Sequence, residues 1–163
     1  MTADLTRHEM SAATALAFPS IVRNPGILIA DDMGCILTLL KFELEPLGFN
    51  VWLAVDGNDA LDLYQQHRDE IDLVLLDVQM PGLDGVQTLA HIQRLDPDVI
   101  ACFMTGNAGI YTNQELLVRG AACVFAKPFQ AANVAVHLKR LASAGDYPPV
   151  VCDWQTFSES VPG

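Results

Sequence analysis

The sequence predicts an α/β fold: a doubly wound, five-stranded parallel sheet with helices on both faces, built as five successive strand–helix units. Three observations predict it. Four short apolar runs, at residues 27–30, 73–76, 99–104 and 121–126, lack the polar alternation of a half-exposed strand. Such runs read as strands buried on both faces, the habit of parallel sheets. Helical periodicities fall between the runs, and the links are short, which is the pattern of crossover connections. The composition supplies the core: the 163 residues are 51% hydrophobic and 18% charged, too apolar for a mainly disordered chain.

Taken in order, the first strand is Ile27, Leu28, Ile29 and Ala30. Leu37, Leu40, Leu44 and Leu47 then recur at helical spacing, with Gly48 as the stop signal. A weaker strand is expected at 51–55. Ala60, Leu61, Leu63 and Tyr64 line one side of a second helix, and Leu73 to Leu76 form the third strand. Asp84 precedes Val86, Leu89 and Ile92 and reads as the N-cap of a third helix. After the fourth strand, Thr112 and Glu115 have the capping-box spacing. The fifth strand leads to Ala131, Val134, Leu138 and Leu141.

Three segments are expected: a leader over 1–25, flexible or partly helical; one folded domain over 26–142; and a C-terminal tail or linker over 143–163, with Trp154 and Phe157 as its aromatics. Pro19 and the acids Asp4 and Glu9 argue against a signal peptide. No run approaches the ~18 apolar residues of a membrane span. Nine Lys+Arg against twenty Asp+Glu give a net charge of −11, so neither nucleic acid nor an anionic membrane is an expected partner. Cys35, Cys102, Cys123 and Cys152 show no CxxC spacing. They read as reduced core cysteines of a cytoplasmic protein, with no zinc site expected.

Chemistry in an open α/β sheet gathers beyond the carboxyl ends of the strands. Asp31 and Asp32 follow the first strand, Asp77 the third, Thr105 the fourth, and Lys127 with Pro128 the fifth. Three carboxylates at one edge repel unless a cation joins them. Magnesium accepts few protein carboxylates and leaves positions for phosphate oxygens. A lysine and a hydroxyl are suited to the remaining phosphoryl oxygens, and a carboxylate can itself be the nucleophile.

These residues carry a resemblance. Ile27-Leu28-Ile29-Ala30-Asp31-Asp32, then residues 75–85 (LLDVQMPGLDG), then Met104-Thr105-Gly106, then Lys127-Pro128-Phe129 are similar to the response-regulator receiver domains of two-component signalling. The resemblance spans residues 26–142 and implies the flavodoxin-like strand order 2-1-3-4-5. It also implies roles. Asp77 would be the phosphoacceptor. Asp31, Asp32, Asp77 and the Gln79 backbone carbonyl would hold Mg²⁺ (or Mn²⁺). Thr105 and Lys127 would bind the phosphoryl group, and Gln79 and Asn107 would tune its lifetime. The Lys127–Pro128 bond is expected to be cis.

The chain departs from the pattern at Val124, where the family carries a switching Tyr or Phe. Phe125 follows, but strand alternation points it to the opposite face. Met33, after the acid pair, reads as a packing methionine at a helix start. The implied partner is a sensor histidine kinase or a histidine phosphotransfer protein, with a homodimer through the fourth- and fifth-helix face as a further possibility. The implied protein is a phosphoacceptor signalling domain rather than an enzyme. A degenerate receiver acting as a constitutive interaction module is the alternative. A phosphatase using Asp77 as nucleophile is a third reading.

Overall fold

The computed structural model describes residues 23–106, 109–144 and 148–152. Within them the chain alternates β1 (Gly26–Ala30), α1 (Gly34–Leu44), β2 (Asn50–Ala54), α2 (Gly57–Gln66), β3 (Leu73–Asp77), α3 (Gly85–Leu95), β4 (Ile100–Thr105), α4 (Asn113–Val118), β5 (Ala121–Ala126), α5 (Ala131–Ser143) and β6 (Val150–Cys152). The strands form one parallel sheet in the order β2-β1-β3-β4-β5-β6.

The continuous apolar runs are explained by two cores, one on each face. Leu28, Ala30, Val74, Leu76, Phe103 and Val124 point to the side covered by α2, α3 and α4. Ile27, Ile29, Leu75, Cys102, Met104 and Phe125 point to the side covered by α1 and α5. With both faces covered, no position of β1 or β3 can be polar until the strand ends, and all five residues of each are buried. The weakly patterned second strand is the edge strand β2, which begins exposed at Asn50.

Local chemistry sets the element ends. Leu47 is not in α1: Pro46 starts a 3-10 turn over Glu45–Leu47, and Gly48 ends it at φ 88°, a conformation that favours glycine. Asp84 and Thr112 both cap their helices as reciprocal capping boxes, with Gln87 and Glu115.

Among the described residues the sheet has six strands where the sequence suggested five. Residues 150–152, expected in an extended tail, pair in parallel with β5. Three residues are too few to show a periodicity, but Val150 and Val151 suit a strand, and they cover what would otherwise be an open edge. Trp154 and Phe157 lie outside the described residues, as does nearly all of the 1–25 leader. Among the described residues no helix is long and apolar enough to cross a membrane.

Gly85 lets α3 begin directly against the end of β3, since a Cβ there would overlap the carbonyl of Asp77. Gly85→Ala is therefore expected to lower unfolding free energy by about 1–3 kcal/mol, the usual range for overpacking, in urea denaturation. An unchanged midpoint would contradict the close approach.

Candidate functional site

The carboxyl edge of the sheet brings four of the sequence-predicted side chains into one small volume. Asp31 follows β1 and is fully buried. Its backbone N–H still donates to Ala54 O at 3.2 Å, which holds the residue in line with the strand. One carboxylate oxygen accepts from Met33 N at 2.8 Å and the other from Lys127 Nζ at 2.8 Å. Asp77 ends β3 and is 5% exposed. Its Oδ1 lies 3.3 Å from Lys127 Nζ and accepts from Gln79 N at 3.3 Å. Lys127 therefore bridges two buried acids from strands adjacent in the sheet. Its own backbone N–H donates to Thr105 O at 2.7 Å, and the following peptide bond to Pro128 is cis.

Asp32 is exposed, yet carboxylate oxygens of Asp31, Asp32 and Asp77 lie within 4.8 Å of one another. Three ionised carboxylates and one ammonium leave two negative charges uncompensated. That residue of charge, in a cluster of hard oxygen donors, fits one divalent cation such as Mg²⁺. Burial pushes the Asp77 carboxyl above its ordinary value, and repulsion from Asp31 adds to the shift, while Lys127 opposes it.

Thr105 ends β4 and is 6% exposed; its hydroxyl donates to Gly106 O at 3.2 Å. Asn107 lies outside the described residues. Val124 is fully buried among Phe103 and Leu116 on the α4 side. Phe125 lies on the other face, edge-on to His137 with ring centroids 5.8 Å apart. No aromatic ring occupies the Val124 slot from the neighbouring residue.

Two features were not read from the sequence. Met33 is 52% exposed at the N-cap of α1. It is therefore a surface residue beside the acids and not a packing one, because the α1 core positions begin only at Leu37. Tyr111 was not singled out. Its hydroxyl donates to Asp84 Oδ2 at 3.3 Å, tying the loop after β4 to the start of α3. Tyr111 and Ile110 line one side of a groove of about 340 Å³ that includes Asp32, Gln79 and Met80. Only its place just ahead of the Thr112 capping box hinted at a fixed position.

The pattern of the response regulator receiver domain family matches residues 27–139. The transcriptional regulatory protein PrrA of Mycobacterium tuberculosis is 33% identical over 120 residues, which are 74% of this chain and 51% of PrrA. The chain thus spans about half the length of that relative. Sporulation initiation phosphotransferase F of Bacillus subtilis is 34% identical over 117 residues, covering 72% of this chain and 93% of that protein. Among solved structures, the receiver domain of NtrX from Brucella abortus superposes with a TM-score of 0.66 at 28% identity, covering 73% of this chain and 99% of that one. A chain of the CheX–CheY–BeF3–Mg²⁺ complex from Borrelia burgdorferi gives a TM-score of 0.61 at 31% identity, with 73% of this chain and 87% of that one covered.

The electrostatics of the pocket set a stability test. A carboxyl whose folded pKa is raised contributes stability below its ordinary pKa and loses it as pH rises through the raised value. Asp77→Asn is expected to raise Tm near neutral pH by roughly 2–4 °C, what about 1 kcal/mol produces in a chain of this size. The gain should shrink as pH falls toward the ordinary carboxylate range. Thermal melts of both proteins from acid to neutral pH check this; a gain that is constant with pH would refute the assignment of the strain to Asp77 ionisation.

Proposed function

The chain belongs to the response regulator receiver domain family, and from that premise we propose that Asp77 accepts a phosphoryl group from the phosphohistidine of a sensor histidine kinase or histidine phosphotransfer protein. The observation that carries this reading is the position of Lys127 Nζ, 2.8 Å from Asp31 and 3.3 Å from Asp77 at the carboxyl edge of the sheet. A structural ion pair needs one carboxylate for one lysine. Here the lysine faces two buried acids and a third, exposed one stands beside them, which suits an incoming phosphate and its counterion.

In this reading an oxygen of ionised Asp77 attacks phosphorus in line with the phosphorus–nitrogen bond. That bond breaks, and the electron pair leaves with the imidazole. The Lys127 ammonium keeps Asp77 ionised against the cost of burial, then pairs with a phosphoryl oxygen as negative charge moves outward. The Thr105 hydroxyl exchanges its bond to the Gly106 carbonyl for a phosphoryl oxygen. Asp31, Asp32, Asp77 and the Gln79 carbonyl would hold Mg²⁺ (or Mn²⁺), which would neutralise part of the phosphoryl charge. Catalysis by the chain is positioning and charge compensation, as in phosphoryl transfer generally. Beyond its own phosphorylation and dephosphorylation the domain is read as a signalling module, not an enzyme. Gln79 and Asn107 are the positions from which water at the phosphoryl group would be controlled.

The output is proposed to be protein–protein contact, including a homodimer through α4 and α5. The Thr105 shift would reach α4 without an aromatic rotamer, since Val124 fills that slot; the route left is the Lys127 N–H to Thr105 O bond and the loop holding Tyr111. Leu39 lines a groove with Lys127 and Pro128, and Phe42, one turn along α1, is 71% exposed. This apolar surface beside the acids suits a helix of the phosphodonor. With such partners the chain would work in the cytoplasm. A constitutive interaction module is the second reading, favoured by Val124 alone.

Intact mass after incubation with Mg²⁺ and acetyl phosphate tests the proposal. One hydroxylamine-labile phosphoryl group is expected, absent in Asp77→Asn and with EDTA. Lys127→Ala should slow the addition about 10²–10³-fold, the usual effect of deleting one transition-state electrostatic contact. An adduct that persists in Asp77→Asn would sink the assignment. No adduct with several donors, and no beryllofluoride complex, would favour the constitutive module.

A further inference from the structure

A second cluster of metal-binding side chains lies away from the acidic pocket, on the α1/α5 face of the sheet. Cys123 comes from β5, Cys152 from β6 and His137 from α5. Their ligand atoms lie within 4.8 Å of one another. The two sulfurs are 2.8 Å apart, and Cys152 Sγ is 3.3 Å from His137 Nε2. Cys123 is fully buried and His137 is 5% exposed, while Cys152 is partly exposed. Phe125 and Phe129 wall a small cavity of about 50 Å³ beside His137 and Cys152, and Asn133 opens onto it.

Two uses of such a cluster compete, a disulfide and a metal. The register separates them. Cys123 stands opposite Val150, and Cys152 opposite Phe125, so the cysteines are two residues out of step. Two residues of advance and one strand spacing combine to a Cα separation of about 8 Å in a regular parallel pair. Ordinary disulfides span roughly 4.4–6.8 Å, so closing one here would require the backbone to move. A metal ion sits between its sulfurs and needs no such approach. At tetrahedral zinc, with bonds of about 2.3 Å, the two sulfurs stand about 3.8 Å apart. Rotating the two thiols apart by roughly an ångström reaches that spacing with the backbone in place.

We propose that Cys123, His137 and Cys152 form a three-ligand site for zinc, with a fourth position facing the small cavity. Two sulfurs and an imidazole are the donor set that selects zinc over magnesium, so the site does not compete with the acidic pocket for its cation. Cys102 pairs with Cys123 across β4 and β5 and is buried, but it is not in the converging group. The site joins α5, β5 and β6. The three-residue ladder of β6 is short for independent stability, and a metal at Cys152 fixes that strand to the sheet.

The test uses the full chain, reduced, metal-depleted and held in excess Mg²⁺ to fill the acidic pocket, in a Cys35→Ser background that removes the exposed thiol. Co²⁺ is the probe, since sulfur-to-cobalt charge transfer reports thiolate ligands and not carboxylates. One Co²⁺ per chain with that band, displaced by one Zn²⁺, is expected. The band should vanish in Cys152→Ser and Cys123→Ser, weaken in His137→Gln and survive in Cys102→Ala. Cys152→Ser is the decisive variant, because circular dichroism and acetyl phosphate labelling at Asp77 can show that it remains folded. Zn²⁺ should slow amide exchange across β5 and β6 in the parent and not in Cys152→Ser. Absence of the band in reduced protein, or a band that survives Cys152→Ser, overturns the proposal. Loss of both thiols to a disulfide with no metal uptake overturns it in favour of a redox pair.

Discussion

The placement of one ammonium between two buried carboxylates is the constraint on which the rest of the molecule depends. Asp31 and Asp77 end neighbouring strands, β1 and β3, and parallel strands deliver their last residues to one edge. Two like charges buried so close would unsettle the sheet at its centre. Lys127 arrives from β5, two strands away from β3 in the order β1-β3-β4-β5, and reaches back over β4 to meet both acids. The cis bond to Pro128 and the backbone link from Lys127 to Thr105 O fix the chain where it must turn. The same geometry leaves the pocket two charges short of neutrality, so what stabilises the apo fold also makes it receptive to a cation and a phosphate.

Much of this was legible because burial on both faces leaves strong marks. In β1, β3, β4 and β5 an apolar run stops abruptly at a polar residue, and that residue is where the strand leaves the core. Asp31, Asp77, Thr105 and Lys127 are each such a stop. The capping residues Asp84 and Thr112 were equally plain, since each cap is a local hydrogen-bond pattern three residues long. Met33 has helical spacing to Leu37 and Leu40 and so reads as a packing residue, but its backbone is extended at the N-cap (φ −93°, ψ 102°), which takes it out of the helix and leaves its side chain exposed.

What was not legible is what depends on contacts between distant segments. β6 has too few residues for a pattern, and its reason to exist is the edge of β5. Tyr111 gains its place from Asp84, 27 residues earlier. The Cys123, Cys152 and His137 group has no sequence spacing to betray it: the cysteines are 29 residues apart, and His137 is 15 residues from Cys152. One strand–helix–strand passage folds them together, and the absence of a CxxC spacing that argued against a zinc site in the sequence is silent about ligands gathered in this way.

The sixth strand also changes what can meet the sheet. β6 occupies the outer edge of β5, and only the short stretch between Ser143 and Val150 separates it from α5. A strand on so short a tether is present at an effective concentration in the millimolar range. Any polypeptide that pairs along β5, from a second copy or another protein, must displace that resident strand or accept β6 as part of its surface. The tail therefore acts as an intramolecular competitor, and it sets a threshold of affinity that separates a dedicated partner from a chance encounter between sheet edges.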